Sequence, residues 1–270
     1  MTIEVAVIPA AGRGTRMRPA TRVVPKALIT VIDRPAIQYA VEEAARAGAT
    51  EAVIVVDLDA GHLIQQHFLV DGRLPGLEHV KVRPIVQEEP LGLGHAVLEA
   101  REVVHDRPFF CLLADNIVRP GADVLPALAA AYDGGSVVCL RRLSDEFLDR
   151  YGVIVPGDER SDSVVEVRGA VEKPGAAAAP SRLGLIGRYL FTSEIFDVLT
   201  KLEPGHGGEI QLTDAIDALG RANRCLGSVA DVDLLDVGTP YGLAEATAVL
   251  GAAHEEWGDD FRRLAATVAE

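Results

Sequence analysis

The chain has 270 residues, of which 49% are apolar and 24% charged, and its formal net charge is −14. That length can bury a core without staples, and the apolar fraction excludes disorder as the main state. The acidity excludes nucleic-acid binding through a broadly basic surface.

In chain order, residues 4–9 read as a strand. A helical pattern over 36–47 stops at Gly48, a glycine C-cap. Strands follow at 52–56 and 80–86, separated by a helix at 62–68. A helix over 93–104, a strand at 109–114, a helix near 122–131 and a strand at 136–141 complete the first half. Such alternation means βαβ units on a mostly parallel sheet. The second half is more mixed. Strands at 151–155 and 163–172 are joined by a turn containing Gly157 and Asp158, and the Ala-rich piece at 175–180 reads as a surface loop. A strand at 185–191 precedes helices at 193–199 and 211–222. Short strands at 226–230 and 232–235 lead to helices from Pro240 and over 254–268. No internal repeat or interdomain linker is visible.

The three cysteines, Cys111, Cys139 and Cys225, stand in apolar runs without metal-ligand spacing and read as buried, reduced thiols. No apolar stretch reaches the ~18 residues of a membrane span. No basic region precedes the first strand, as it would in a signal peptide. A cytoplasmic protein with neither membrane nor nucleic acid as partner is expected.

The first strand runs into Ala10-Ala11-Gly12-Arg13-Gly14-Thr15-Arg16. Glycines there let backbone N–H groups approach an anion. The third glycine of a dinucleotide fingerprint is replaced by Arg16, and the Gly-Lys-Ser/Thr of a Walker A loop is missing. Arg13, Arg16, Arg18, Arg22 and Lys26 follow one another with no acid between them. In so acidic a chain this is a local reversal of sign, suited to polyphosphate.

The segments Ala-Gly-x-Gly-Thr-Arg-Met, Pro25-Lys26-Ala27-Leu28 and Pro35-x-Ile37-Gln38-Tyr39 resemble those of the sugar-1-phosphate nucleotidyltransferases. The nearest branch is the bacterial uridylyltransferases that use UTP and glucose 1-phosphate. The resemblance continues through Gln87-x-x-x-x-Gly92-Leu93-Gly94-His95, Ala114-Asp115-Asn116, Tyr151-Gly152-Val153, Glu172-Lys173-Pro174, Gly187-Arg188-Tyr189, Gly208-Glu209-Ile210-Gln211 and Asp236-Val237-Gly238. It covers nearly the whole chain in order.

That resemblance implies an α/β fold: a Rossmann-like, mostly parallel or mixed sheet flanked by helices, with a smaller sugar-binding part. It divides the one domain into a nucleotide half (1–134), a sugar half (135–240) and C-terminal helices (241–270). It implies transfer of a nucleotidyl group from UTP to glucose 1-phosphate, giving UDP-glucose and pyrophosphate, by a homo-oligomer, dimer or tetramer. Ala10, Ala11, Gly12, Gly14 and Thr15 would wrap the nucleotide. Arg16 would grip the leaving phosphates, where charge develops. Lys26 would meet the α-phosphate or the sugar phosphate. Gln87 and Gly92 would read the pyrimidine edge, and His95 has no assigned role. Asp115 and Asp236, each ending an apolar run, would hold Mg²⁺. Gly152, Glu172 and Lys173 would take the sugar phosphate. Glu209 would either shape the sugar pocket or cap a helix.

Three features leave alternatives open. The segment 70–78 is shorter than in the uridylyltransferases, Asp115-Asn116 resembles the thymidylyltransferase branch, and Gly207-Gly208-Glu209 has a glycine where aspartate is usual in that branch. A thymidylyltransferase, another sugar 1-phosphate, or a catalytically silent sugar-nucleotide binder are the rival readings. A dinucleotide-dependent oxidoreductase would use Asp57 after the second strand but lacks its third glycine.

Overall fold

The computed structural model describes residues 2–58, 60–69, 74–119, 121–122 and 124–268. In the short segment 70–78, positions 70–73 lie outside the described residues.

The strands are β1 (Val5–Pro9), β2 (Thr30–Val31), β3 (Arg34–Pro35), β4 (Glu51–Val56), β5 (Lys81–Val86), β6 (Phe109–Leu112), β7 (Asn116–Val118), β8 (Ser136–Arg142), β9 (Val153–Ser161), β10 (Val164–Val171), β11 (Leu183–Phe191), β12 (Cys225–Val229) and β13 (Leu234–Asp236). Nine of them form one sheet in the order β5-β4-β1-β6-β11-β8-β12-β10-β9. The block β5-β4-β1-β6 is parallel, as the alternating first half predicts. Beyond β6 the sheet turns antiparallel, with β8 and β12 the only parallel pair there among the described residues. The sheet is thus mixed and continuous across both halves.

Alternation along the strands explains the two layers. Ala6 and Ile8 of β1, with Ile54 and Leu112, face Ile37, Val41, Ile64 and Phe68 of the helices Ala36–Arg46 and Gly61–Leu69. Val5 and Val7, with Val53, Val55 and Phe109, face Val97, Phe196 and Ile216 on the other side. Near-continuous apolar strands are what a sheet covered on both faces requires. All three cysteines are buried and free. Burial pushes each thiol up, to about 12 in Cys139 and Cys225.

Several predicted elements differ. The helix expected over 93–104 is two, Leu93–Glu99 and Arg101–Val104, meeting at Ala100. Residues expected as a surface loop include one helical turn, Gly175–Ala178. Gly157 and Asp158 do not turn the hairpin. They lie within β9, which runs on to Ser161, and Val164 pairs with Ser161 across a tighter connection. Pro156 and Gly157 are tolerated because β9 is an edge strand and its pairing shifts register there. The last helix begins at Gly258, with Asp259 and Asp260 in its first turn.

β7 and β13 form a separate antiparallel ribbon. It rests on a small core of Val31, Ile117, Leu235, Val237, Ala246 and Leu250. The helix Pro240–Ala252 supports it from behind, capped by Thr239, whose hydroxyl accepts from Gly242 N at 3.1 Å. Among the described residues no helix is long and apolar enough to cross a membrane.

Candidate active site

The carboxyl ends of β1 and β6 open on a cavity of about 580 Å³, lined by residues from the loop 9–15 together with Lys26, Gln87, Gly92, Asp115 and Glu209. This is where a parallel sheet places a ligand. The predicted nucleotide loop therefore lines a real cavity. Ala10 N donates to Val55 O at 2.7 Å, which pins the loop to the end of β4. Gly14 has φ +58° and accepts at its carbonyl from the Thr21 hydroxyl at 2.7 Å. A Cβ on Gly14 would lie 2.8 Å from the Thr21 methyl, so the turn needs glycine twice over.

Arg13, Arg16, Arg18 and Arg22 are exposed and form no ion pair with any described residue. In a chain of charge −14 these are unpaired cations, and Arg13 among them lines the cavity. Lys26 is instead paired with Asp115.

The ribbon β7–β13 explains how the two aspartates meet. Asn116 is the register partner of Asp236, and Val237 N donates to Asp115 O at 2.9 Å. Gly238 N donates to Asp236 Oδ1 at 2.8 Å, aiming that carboxylate. A Cβ at Gly238 would stand 2.8 Å from Asp236 Oδ1, 2.8 Å from Lys26 Nζ and 3.1 Å from the Arg16 guanidinium. Arg16, Lys26 and Asp236 thus surround one point, kept open by a glycine, and Asp115 adjoins it through its pair with Lys26. The carboxylates offer hard oxygen donors only. No group of three or more His, Cys, Asp or Glu able to cage a metal occurs among the described residues. A cation held here would complete its shell with phosphate oxygens and water, which fits Mg²⁺.

At the other end of the cavity, Gln87 is 6% exposed and reaches the Gly92 turn. Gly92 has φ +104°, and a Cβ there would come 2.7 Å from the Glu209 Cβ and 2.9 Å from Ile210 O. Ile210 N donates to Leu91 O and Gly94 N to Ile210 O, at 2.7 and 2.8 Å. The segment around Glu209 therefore clasps the base turn. Glu209 lines this cavity and does not cap the next helix, Leu212–Arg221, whose N-cap is Gln211. Gly92→Ala is expected to raise the nucleotide KM about tenfold or more, because strain and clash of a few kcal/mol fall directly on the turn. Initial-rate kinetics check this. An unchanged KM would free the turn from the base site.

Of the predicted sugar-phosphate residues, Gly152, Glu172 and Lys173 come together, whereas Glu209 stands against the Gly92 turn. A Cβ at buried Gly152 would lie 2.7 Å from Thr213 Oγ1, and that hydroxyl donates to Glu172 Oε2 at 2.6 Å. Lys173 Nζ is 2.8 Å from Glu172 Oε1, and its backbone is left-handed at φ +46°. Such a conformation in a non-glycine residue is typical of functional loops.

Sequence reasoning missed Thr213 and Tyr151. Burial raises the Tyr151 phenol, and the charges of Asp236 and Asp115 add to it, so Tyr151 stands in the field of both aspartates. Its place in the motif Tyr151-Gly152-Val153 was the available signal. Arg188 was also passed over. It is a lone cation in the apolar run of β11, and such a residue demands buried partners. Asp57, the acid a dinucleotide site would use, accepts instead from Ala60 N at 2.8 Å in a tight turn.

Residues 5–252 match the profile of the nucleotidyl transferase family. The chain is 39% identical to UTP–glucose-1-phosphate uridylyltransferase 2 of Staphylococcus saprophyticus, over 96% of this chain and 95% of that protein. It is 37% identical to the UTP–glucose-1-phosphate uridylyltransferase of Bacillus subtilis, over 95% of this chain and 94% of that one. A crystal structure of UDP-glucose pyrophosphorylase complexed with UDP-glucose superposes with a TM-score of 0.86 at 32% identity, covering 93% of this chain and 100% of that chain. Matched over residues 5–252, and 37–39% identical to these relatives along nearly their whole length, the chain belongs to the nucleotidyl transferase family.

Proposed function

We propose that this protein transfers the uridylyl group of UTP to glucose 1-phosphate, forming UDP-glucose and pyrophosphate. The observation that carries this reading is the convergence of Arg16, Lys26 and Asp236 on one point beside the nucleotide cavity, with Asp115 paired to Lys26. The names of the relatives support the choice of substrates.

The chemistry follows from the geometry. Ala10, Ala11, Gly12, Gly14 and Thr15 hold the triphosphate through backbone amides. The sugar-phosphate oxygen attacks the α-phosphorus in line, and the bond to the bridging oxygen of the leaving pyrophosphate breaks. Arg16 stands where charge then builds on the leaving group, and a fixed guanidinium stabilises that state most. Lys26 leaves Asp115 for the incoming phosphate oxygens. Asp115 and Asp236 would hold Mg²⁺, which when bound would neutralise phosphate charge. Gly152, Glu172 and Lys173 orient the sugar phosphate, with Glu172 fixed by Thr213. No side-chain nucleophile is required, so positioning and charge neutralisation supply the rate.

In this reading residues 1–134 serve mainly the nucleotide and 135–240 mainly the sugar phosphate. The protein acts in the cytoplasm, which its free buried thiols suit, as a homo-oligomer.

A matrix of UTP, dTTP, CTP and ATP against glucose 1-phosphate and other hexose 1-phosphates tests the reading, with pyrophosphate release as the signal. UTP with glucose 1-phosphate and Mg²⁺ is expected to give the highest kcat/KM, and EDTA to abolish it. A preference for dTTP would replace the uridylyl assignment, and no pyrophosphate release with any pair would replace the enzyme reading.

A further inference from the structure

Gln87 makes two contacts through one end of its amide. Nε2 donates to the Gly92 carbonyl at 3.2 Å and lies 2.9 Å from His95 Nδ1. His95 Nε2 is in turn 3.3 Å from Glu99 Oε1, one helical turn further along. An ionised carboxylate only accepts, so the ring proton sits on Nε2, and Nδ1 offers its lone pair to the amide. Reversing the amide would turn Oε1 toward two acceptors, the Gly92 carbonyl and Nδ1. The network therefore decides which end is which. Both amide hydrogens are taken by the protein, and Oε1 has no donor among the described residues while Gln87 lines the cavity.

An acceptor with no alternative is a selective reader. The uracil ring offers N3–H, which Oε1 can receive. The cytosine ring offers a lone pair at N3, which Oε1 repels. We infer that His95, held by Glu99, is a positioning residue that locks the Gln87 amide with its oxygen toward the base and thereby makes the pocket select N3–H pyrimidines over cytosine. This rests on reading the cavity as the nucleotide site. The same lock cannot separate uracil from thymine, whose N3–H edges are alike.

The experiment compares kcat/KM for UTP and CTP, with glucose 1-phosphate and Mg²⁺, in the parent and in His95→Ala, Glu99→Ala, Glu99→Gln and Gln87→Ala. Once His95 is removed the amide can rotate, and the UTP:CTP ratio is expected to fall about tenfold. Glu99→Ala, on the more exposed side of the helix, should lower the ratio in the same direction. Glu99→Gln keeps an acceptor for Nε2 and should restore the parent ratio. A merely structural role would lower both substrates together and leave the ratio alone. A ratio within about threefold of the parent in His95→Ala and Glu99→Ala, with collapse in Gln87→Ala, overturns the lock and keeps the base reading. An unchanged ratio in Gln87→Ala as well overturns both.

Discussion

Replacing Asp115 or Asp236 with asparagine is expected to lower kcat about 10³-fold or more, equivalent to about 4 kcal/mol of transition-state stabilisation. In the proposed reading both residues would hold a cation against the phosphates, and asparagine keeps the shape while removing the charge that would hold it. The fold should survive. Among the described residues the Asp115 carboxylate is paired only with Lys26, and the Asp236 carboxylate accepts only from Gly238 N, a bond an asparagine oxygen can still receive. Steady-state rates across a Mg²⁺ titration, with a melting curve on each variant, check the pair. Near-parent turnover in both variants at ordinary Mg²⁺ would remove these residues from the metal site.

The largest expected loss of stability comes from Arg188→Met. Arg188 is 1% exposed. Its Nε lies 2.9 and 3.0 Å from the two Glu43 carboxylate oxygens, and Nη2 lies 2.8 Å from Oε2. Nη1 donates to Leu113 O at 3.2 Å and Gly187 O at 3.0 Å, and Nη2 donates to Asn116 O at 2.5 Å. Methionine fills the volume but strands an almost buried carboxylate and takes one donor from three carbonyls, of which Leu113 O and Gly187 O keep a backbone donor. Breaking a buried pair from one side costs about 3–5 kcal/mol. That is a drop in Tm of roughly 10 °C for a chain of this size. Leu113 and Asn116 flank Asp115, so kcat should fall as well. Calorimetry on Arg188→Met, and on Arg188→Met combined with Glu43→Leu, separates the terms. The double variant should recover part of the loss because no unpaired charge remains buried. A Tm within about 2 °C of the parent in the single variant would show that the clamp carries no weight.

The first half was largely legible because most of its elements repeat a simple period. The runs at 4–9 and 52–56 appear as strands within a residue of their predicted bounds. The glycine-and-arginine loop could be read because its residue types have one chemistry in common. What could not be read were contacts that no local pattern encodes. β7 and β13 have three residues each, too few to show a period, yet they bring Asp115 and Asp236 together. Pro156 and Gly157 imitated a turn because the sequence does not announce that β9 is an edge. The hold of His95 on Gln87 joins a strand end to a helix start. Neither residue type alone implies the other.

The β7–β13 ribbon has a further consequence, in time rather than in space. The ribbon joins segments from distant parts of the chain, as β1 and β6 of the parallel block also do. Closing so long a loop costs entropy that is recovered only once both ends are ordered. The carboxylate pair therefore comes together only once both segments are ordered, so the meeting of Asp115 and Asp236 reports that the distant end of the polypeptide has docked.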